Sequence, residues 1–356
     1  MTYKPDLETD LDTLSEKERG EFSRSELLKL GAAVGGGLGL LPLLAGPASA
    51  ARSRSGAGQP KVIFVVHDNN PFFVPVRVGF ERFGKMAGWK TQWVGPPSQS
   101  TQDTVTLQAN AITAKPAGVI FTRIDTSSFD ANIRRAQQLG IKLILSNVAS
   151  AGYQKLGVGF VGQDFVPAGR VHGQQAAKWA QKLTGRKSGL IVLGNFAPGN
   201  SALEQRIQGT KEGIAAYNKA NGTSYTTNVL VTSSDQAEAI GRIDAKYRKD
   251  GGKIVGWAMS EFTNEFVAIW AKSKGLKGKF SNGGFDLIKP VLDAIKAGDS
   301  QWAIAQNPYA QGFIASALLS MELFPGYPAF SYDTGAEVVD NTNIDFVIKR
   351  EKPFLK

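Results

Sequence analysis

Amides, carboxylates and hydroxyls recur along this chain at one kind of position, just past short apolar runs. The run at 61–66, Lys-Val-Ile-Phe-Val-Val, is followed by Asp68, Asn70, Phe72 and Phe73. The run at 118–122 is followed by Arg123 and Asp125, and that at 141–145 by Ser146 and Asn147. The run at 189–193 leads into Asn195, Phe196 and Ser201, with Arg206 one turn into the next helical pattern. Ser234 follows 228–232, Ser260 and Glu261 follow 254–258 (which contains Trp257), Asp286 follows Gly284-Phe285, and Gln306 follows 302–305. Amides both donate and accept, carboxylates accept two bonds, and arginine donates through a fixed fork. A sugar or polyol hydroxyl also donates and accepts, so such groups can hold neighbouring hydroxyls in pairs. The C–H faces of a sugar are apolar and suit rings such as Phe72, Phe73 and Trp257.

Taken singly, each of these residues has an ordinary structural role, since Ser, Asn and Asp cap helices. Their recurrence argues for a shared polar cleft, and the elements between them say where it lies. Apolar, β-branched runs are predicted as strands at the seven positions above and also at 91–94, 158–161, 280–285 and 336–339. Helical spacing is predicted from Phe73 onward (Val76, Phe80, Phe83, Met86) and over 103–115, 129–139, 168–183, 202–220, 236–249, 264–274, 288–297 and 309–323. Strand–helix alternation implies parallel sheets with helices on both faces. In open sheets of that kind ligands sit beyond the carboxyl ends of the strands. About eleven strands exceed one comfortable doubly wound sheet, so the chain is read as two similar lobes.

Composition removes several classes of chemistry. The 356 residues contain no cysteine, which excludes disulfides, thiolate metal sites and a cysteine nucleophile. With only His67 and His172, a multi-histidine metal site is not expected, nor is any cofactor. Net charge is +10, yet residues 1–50 hold five basic and eight acidic side chains, leaving 36 and 23 for the rest. The lysines (Lys178, Lys182, Lys187, Lys211, Lys219) are spread along helical patterns without a block, so a solvated basic surface is expected and no nucleic-acid partner. His67, Trp89 and Trp93 are read as packing residues.

The first fifty residues differ in kind. Residues 1–20 are polar and acidic without periodicity. An apolar glycine-rich stretch, 31–46, ends in Pro47-Ala48-Ser49-Ala50, the small-residue pattern of an export signal cut after Ala50. Ser23-Arg24-Ser25 resembles a twin-arginine signal with Ser25 in place of the second arginine. Residues 51–60 form a Ser/Gly linker. Without an anchor cysteine, the exported protein is expected in a periplasm.

Over residues 60–350 the chain resembles the ribose-type (type I) periplasmic sugar-binding proteins of ABC importers. The residues carrying the resemblance are Asn69-Asn70-Pro71-Phe72-Phe73, Ser201-Ala202 with Arg206 and Gly209, Gly284-Phe285-Asp286, and Ile304-Ala305-Gln306-Asn307-Pro308-Tyr309 with Gln311-Gly312. The resemblance implies that Asn70, Phe72, Phe73, Arg206, Asp286 and Gln306 line the sugar site. It departs at Ser146-Asn147, where ribose binders have Asp-Arg, at Ser234, where they have an aromatic, and at Ser260-Glu261, where they have Asn-Asp. A buried polar group left unpaired costs much affinity, so these changes imply a pentose, hexose or sugar alcohol other than ribose. The family fold implies three crossings between lobes, near 163–164, 306 and 335. That assigns 61–163 and 307–335 to one lobe and 164–306 and 336–356 to the other. It also implies a monomer that closes on its ligand and docks on an ABC permease in the inner membrane.

Three other readings compete with this one. A periplasmic sensor partner for a chemoreceptor or histidine kinase uses the same binding physics. A repressor with this ligand domain needs an N-terminal helix-turn-helix, where this chain has an export-like apolar run. An enzyme lacks support from any G-x-S-x-G, H-E-x-x-H or phosphate-loop motif, and Glu261 with Asp286 is the one carboxylate pair suggesting glycoside hydrolysis.

Overall fold

A computed structural model describes residues 58–328 and 330–355. The predicted export signal, 1–50, and most of the predicted linker, 51–57, lie outside the described residues. Two six-stranded sheets organise the described chain. The first has the order β2-β1-β3-β4-β5-β11, and the second has the order β7-β6-β8-β9-β10-β12. The strands of the first sheet are β1 (Lys61–Val65), β2 (Lys90–Val94), β3 (Gly118–Arg123), β4 (Lys142–Ala149), β5 (Gly159–Gly162) and β11 (Tyr332–Asp333). Those of the second are β6 (Ser188–Asn195), β7 (Ser224–Val231), β8 (Ile254–Met259), β9 (Ser281–Phe285), β10 (Trp302–Ala305) and β12 (Glu337–Asp340). The helices are α1 (Phe73–Met86), α2 (Thr101–Thr113), α3 (Asp130–Gln138), α4 (Phe165–Thr184), α5 (Ser201–Asn221), α6 (Gln236–Asp250), α7 (Asn264–Ser273), α8 (Lys289–Lys296), α9 (Pro308–Leu323) and α10 (Ile344–Glu351). A short 3-10 turn, Lys352–Phe354, follows α10.

Each central strand is apolar throughout because helices cover both faces of its sheet. In β1 the alternation sorts Ile63 and Val65 into one core cluster and Val62 and Phe64 into the cluster on the opposite face. In the second sheet Ile191 and Leu193 pack on one side, and Val192, Trp257 and Met259 on the other. Helix starts follow local chemistry. The side chains of Ser100, Asn200, Asp235 and Asn307 accept the backbone N–H of Asp103, Ala202, Glu238 and Ala310.

Two helix pairs set the distances across the lobes, and both rest on glycine. Helices α4 and α5 meet at Gly169, Gly173, Gly209 and Gly213. A Cβ on Gly209 would lie 2.1 Å from the carbonyl oxygen of Val166, and one on Gly173 would lie 2.1 Å from that of Thr210. Helices α1 and α9 repeat the device, since a Cβ on Gly312 would lie 1.9 Å from the carbonyl oxygen of Val76.

All pairings are parallel except one. The final strand, β12, runs antiparallel to β10, where strand–helix alternation implies uniform parallel pairing. It follows β11 after only three residues and enters the second sheet at its free edge, too short a link for the helix that a parallel return requires. The two-residue β11 and the helix α10 lie outside the elements predicted from the sequence. The chain passes between the sheets three times: between Gly162 and Phe165, between Ala305 and Pro308, and between Asp333 and Glu337.

Candidate functional site

The carboxyl ends of both sheets face one cavity of about 60 Å3. From the first sheet it is lined by His67, Asp68, Asn70, Phe72, Phe73 and Asn147, and from the second by Arg206, Glu261, Asp286 and Gln306, among others.

Two of these residues hold unusual backbone. Asn147 has φ 66° and Asp286 has φ 69°, left-handed values that few residues other than glycine adopt and that Asn and Asp tolerate best. Asn147 sits where the β3–β4 register shifts, with Phe121 opposite Leu145 but Arg123 opposite Ala149. Such an irregularity re-aims the side chain of the bulged strand. Asp286 follows β9 directly and gives its N–H to the carbonyl oxygen of Ile304, 3.1 Å away.

Arg206 is the positive centre. It is 3% exposed, and its guanidinium lies 4.1 Å from the Phe285 ring and 5.3 Å from the Phe165 ring. One terminal nitrogen donates to the carbonyl oxygen of Ser260 and the other to Oε1 of Gln163, both at 3.0 Å. Its Nε is buried and has no partner among the described residues. Burial lowers the Arg206 pKa from its usual value, and the charges of Asp286 and Glu261 oppose that.

The acids differ in their settings. Burial raises Asp286, against the pull of Arg206 and of Gln306, whose Nε2 donates to Oδ1 at 2.5 Å. Glu261 accepts from Thr263 Oγ1 at 2.6 Å, its other oxygen lies 3.2 Å from Ser260 Oγ, and burial pushes it up to about 8. Asp68 is raised by burial, while Asn70 donates both its N–H and Nδ2 to the carboxylate at 3.1 and 3.0 Å. Asn70 Oδ1 accepts the N–H of Phe72, so one amide shapes the loop and lines the cavity. Phe72 and Phe73 meet edge to face at 5.1 Å.

Glutamines join this cavity to the crossings. Asn147 Nδ2 donates to Gln311 Oε1 at 3.0 Å, and Gln311 Nε2 donates to the carbonyl oxygen of Gln306 at 3.0 Å. Gln163 Nε2 donates to the carbonyl oxygens of Ala305 at 3.2 Å and Gly335 at 2.9 Å, so one side chain in the first crossing binds the other two.

Other residues named from the sequence lie elsewhere. Ser146 Oγ donates to the carbonyl oxygen of Gln311 behind the cavity. Ser260 reaches Arg206 through its carbonyl, while its hydroxyl donates to the carbonyl oxygen of Gly194 at 2.6 Å. Asp125 accepts the N–H groups of Ser127 and Ser128, an internal turn. Asn195 donates to Glu204 and accepts from the N–H of Ala197. Trp257 is fully buried, 5.8 Å from Trp270 and 6.2 Å from Phe280, and belongs to the core. Ser234 lines a second cavity. That chamber, about 570 Å3, shares Asp68, Asn70, Phe72, Phe196 and Phe262 with the first. Phe196 and His67, each just past a strand, also line the smaller cavity, as do Gln99, Asn200 and Phe262, which only tertiary structure brings there.

Polar contacts also cross the cleft. Asn200 Nδ2 donates to Gln99 Oε1 at 3.3 Å, the N–H of Ser201 donates to the carbonyl oxygen of Ile124 at 3.2 Å, and the hydroxyls of Ser150 and Ser201 lie 2.6 Å apart. The cleft is therefore closed along this side.

Two parallel sheets that meet at their carboxyl ends, three crossings and a cavity between them define a bilobal α/β binding protein. The chain belongs to the periplasmic binding protein domain family, which it matches over residues 62–324. It is 24% identical over 301 residues to the xylose/arabinose-binding protein XylF of Sulfolobus acidocaldarius, spanning 80% of this chain and 72% of that one. A carbohydrate transporter solute-binding protein of Agrobacterium radiobacter, solved in complex with D-arabinose, superposes with a TM-score of 0.73 at 20% identity, covering 85% of this chain and all 100% of that one. A carbohydrate transporter from Acidothermus cellulolyticus 11B, solved in complex with myo-inositol, superposes with a TM-score of 0.71 at 21% identity, covering 84% and 100%.

Proposed function

We propose that the chain captures a monosaccharide or sugar alcohol between two lobes, 61–163 with 307–335 and 164–306 with 336–356, and delivers it to the permease of an ABC importer. The observation that carries the reading is that Asn70 and Asn147 from one sheet and Arg206 and Asp286 from the other line a single cavity. Planar amides, a carboxylate and a guanidinium suit adjacent hydroxyls, and Phe72 and Phe73 suit the C–H face of a ring. A cavity of about 60 Å3 has room for about two waters at roughly 30 Å3 each, so the lobes part to admit a sugar. Periplasmic binding proteins bury their ligands by hinged closure of this kind.

The sugar leaves unchanged, so the protein is a carrier and not an enzyme. Residues 1–50 act as an export signal removed after Ala50, and the mature protein works as a monomer in the periplasm, where the closed form is what the permease recognises. The sugars named for the relatives favour pentoses and inositols as first candidates, with hexoses beside them in the panel.

Thermal unfolding of the purified protein against D-xylose, L-arabinose, D-arabinose, D-glucose, D-galactose and myo-inositol tests the reading. A ligand at about 100 times its Kd stabilises the native state by roughly 2.7 kcal/mol. A shift with at least one of them, with the sugar recovered intact, is expected. No shift from a folded, sugar-free preparation rejects it.

A further inference from the structure

The second cavity is nearly ten times the volume of the polar one and differs from it in character. Phe196, Phe262, Phe266, Leu287, Ile288 and Phe354 form much of its wall. Phe196 and Phe262 lie 5.8 Å apart, and Phe262 and Phe266 lie 6.2 Å apart edge to face. A volume of about 570 Å3 falls within the roughly 300–1,000 Å3 usual for small-molecule sites. The chamber persists although the Gln99–Asn200, Ile124–Ser201 and Ser150–Ser201 contacts already join the two sides of the cleft. Both sides of the cleft line it, with Asp68, Asn70 and Phe72 on one and Phe196, Phe262 and Leu287 on the other.

One polar group in it stands apart. Glu265 lines the chamber, is only 8% exposed, and accepts no side-chain hydrogen bond from any described residue. The chamber's other charged groups are engaged: Lys289 with Asp293, Glu351 with Arg350, and Asp68 with Asn70. Burial raises Glu265 to about 7, as befits a carboxyl whose compensation is missing. Five residues line both cavities, so one ligand can reach from Arg206 and Asp286 into the chamber.

We propose that the solute is a glycoside, held by its sugar in the polar cavity, whose apolar substituent fills the chamber and presents a hydrogen-bond donor to Glu265. The wall is mostly aromatic and aliphatic, with the Glu265 carboxyl and the hydroxyls of Ser98 and Ser234 as its scattered polar groups, which suits an apolar substituent better than a second sugar ring. The proposal rests on the sugar-binding reading above and narrows its substrate class.

The test compares free D-xylose, D-glucose and D-galactose with their α- and β-4-hydroxyphenyl glycosides by isothermal titration, using the full-length protein. At least one glycoside is expected to bind tenfold or more tightly than its parent sugar. Ile288→Asp and Glu265→Leu, both outside the polar cavity, should each remove most of that gain and leave the affinity for the parent sugar within about twofold. Retained binding of the parent sugar also shows that these variants fold. If the free sugars bind and every glycoside binds more weakly, the glycoside proposal is overturned while the sugar-binding reading stands. If the gain survives both substitutions, the substituent lies elsewhere and the proposal is again overturned. If neither free sugars nor glycosides bind, the sugar-binding reading itself fails and takes this one with it.

Discussion

Gln306 donates its side-chain N–H to Asp286 Oδ1 at 2.5 Å, joining the residue after β10 to the left-handed residue after β9. The bond fixes one carboxylate oxygen and leaves Oδ2 without a partner among the described residues. Arg206 lies near enough for the two charges to favour each other.

Removing the Asp286 charge should therefore be costly. Asp286→Ala leaves a buried guanidinium without its counter-charge and frees the Gln306 amide. Loss of one partner of a buried charged pair costs about 2–5 kcal/mol, a rise in Kd of roughly thirtyfold or more. Titration with any sugar that stabilises the parent protein checks it, with far-ultraviolet circular dichroism to show that the fold is kept. Unchanged affinity would remove Asp286 from the site.

Arg206 is positioned by a helix that is itself positioned by glycine. It lies on α5 three residues before Gly209, whose missing Cβ lets α5 press on the Val166 carbonyl. Gly209→Val should push α5 from α4, lower stability by about 1–3 kcal/mol as overpacking does, and weaken sugar binding by moving Arg206. Thermal unfolding and titration read the two effects separately. Gly241, with open space around it, is the control and should tolerate alanine without loss of either.

Much of this was legible because it is local. Period and composition marked the strands, and the turn chemistry after each named Asp68, Asn70, Asn147, Asp286 and Gln306 as a set. What stayed hidden is tertiary. Trp257 stands two residues before the end of β8, and strand alternation sends it into the Trp270–Phe280 core. Asn195 is consumed by Glu204, a partner supplied by the next helix. The chamber draws on Phe196, Phe262, Ile288 and Phe354, four separate loops and termini that no spacing rule connects. The isolation of Glu265 is likewise a property of everything packed around it.

Buried titratable groups make stability depend on pH in two opposite senses. His172 accepts from Trp302 Nε1 at 2.9 Å and is fully buried; burial first, then Arg206, lowers it to about 3. Burial also lowers His67 to about 4. The unfolded chain takes up these protons more readily, so stability falls as pH drops below about 6.5, the ordinary histidine value. Glu261 has the opposite sign. Raised to about 8, it holds its proton in the native state after the unfolded chain has lost it, so stability declines as pH rises from about 4.5 through 8. Each unit of such a shift corresponds to about 1.4 kcal/mol. The melting temperature should thus fall by several degrees between pH 6.5 and 8.5, where the histidines no longer contribute, and Glu261→Gln should flatten that decline. A decline equally steep in the variant would assign it to Glu265 and Glu322, both raised to about 7 by burial.

Gln163 connects the cavity to the crossings in a way that separates affinity from closure. Its Oε1 accepts from Arg206, and its Nε2 donates to Ala305 in the second crossing and Gly335 in the third. A sugar that engages Arg206 therefore bears on a side chain that ties all three segments in a single arrangement. Gln163→Leu keeps the bulk, removes these bonds and leaves an Arg206 terminal nitrogen and two carbonyl oxygens to find other partners. Binding should weaken by roughly 1–3 kcal/mol, the cost of leaving buried polar groups unsatisfied. The closed form should also be less populated, so small-angle scattering with saturating sugar should give a larger radius of gyration than the parent protein. Weaker binding with an unchanged radius would confine Gln163 to orienting Arg206, and a changed radius would make it part of the hinge.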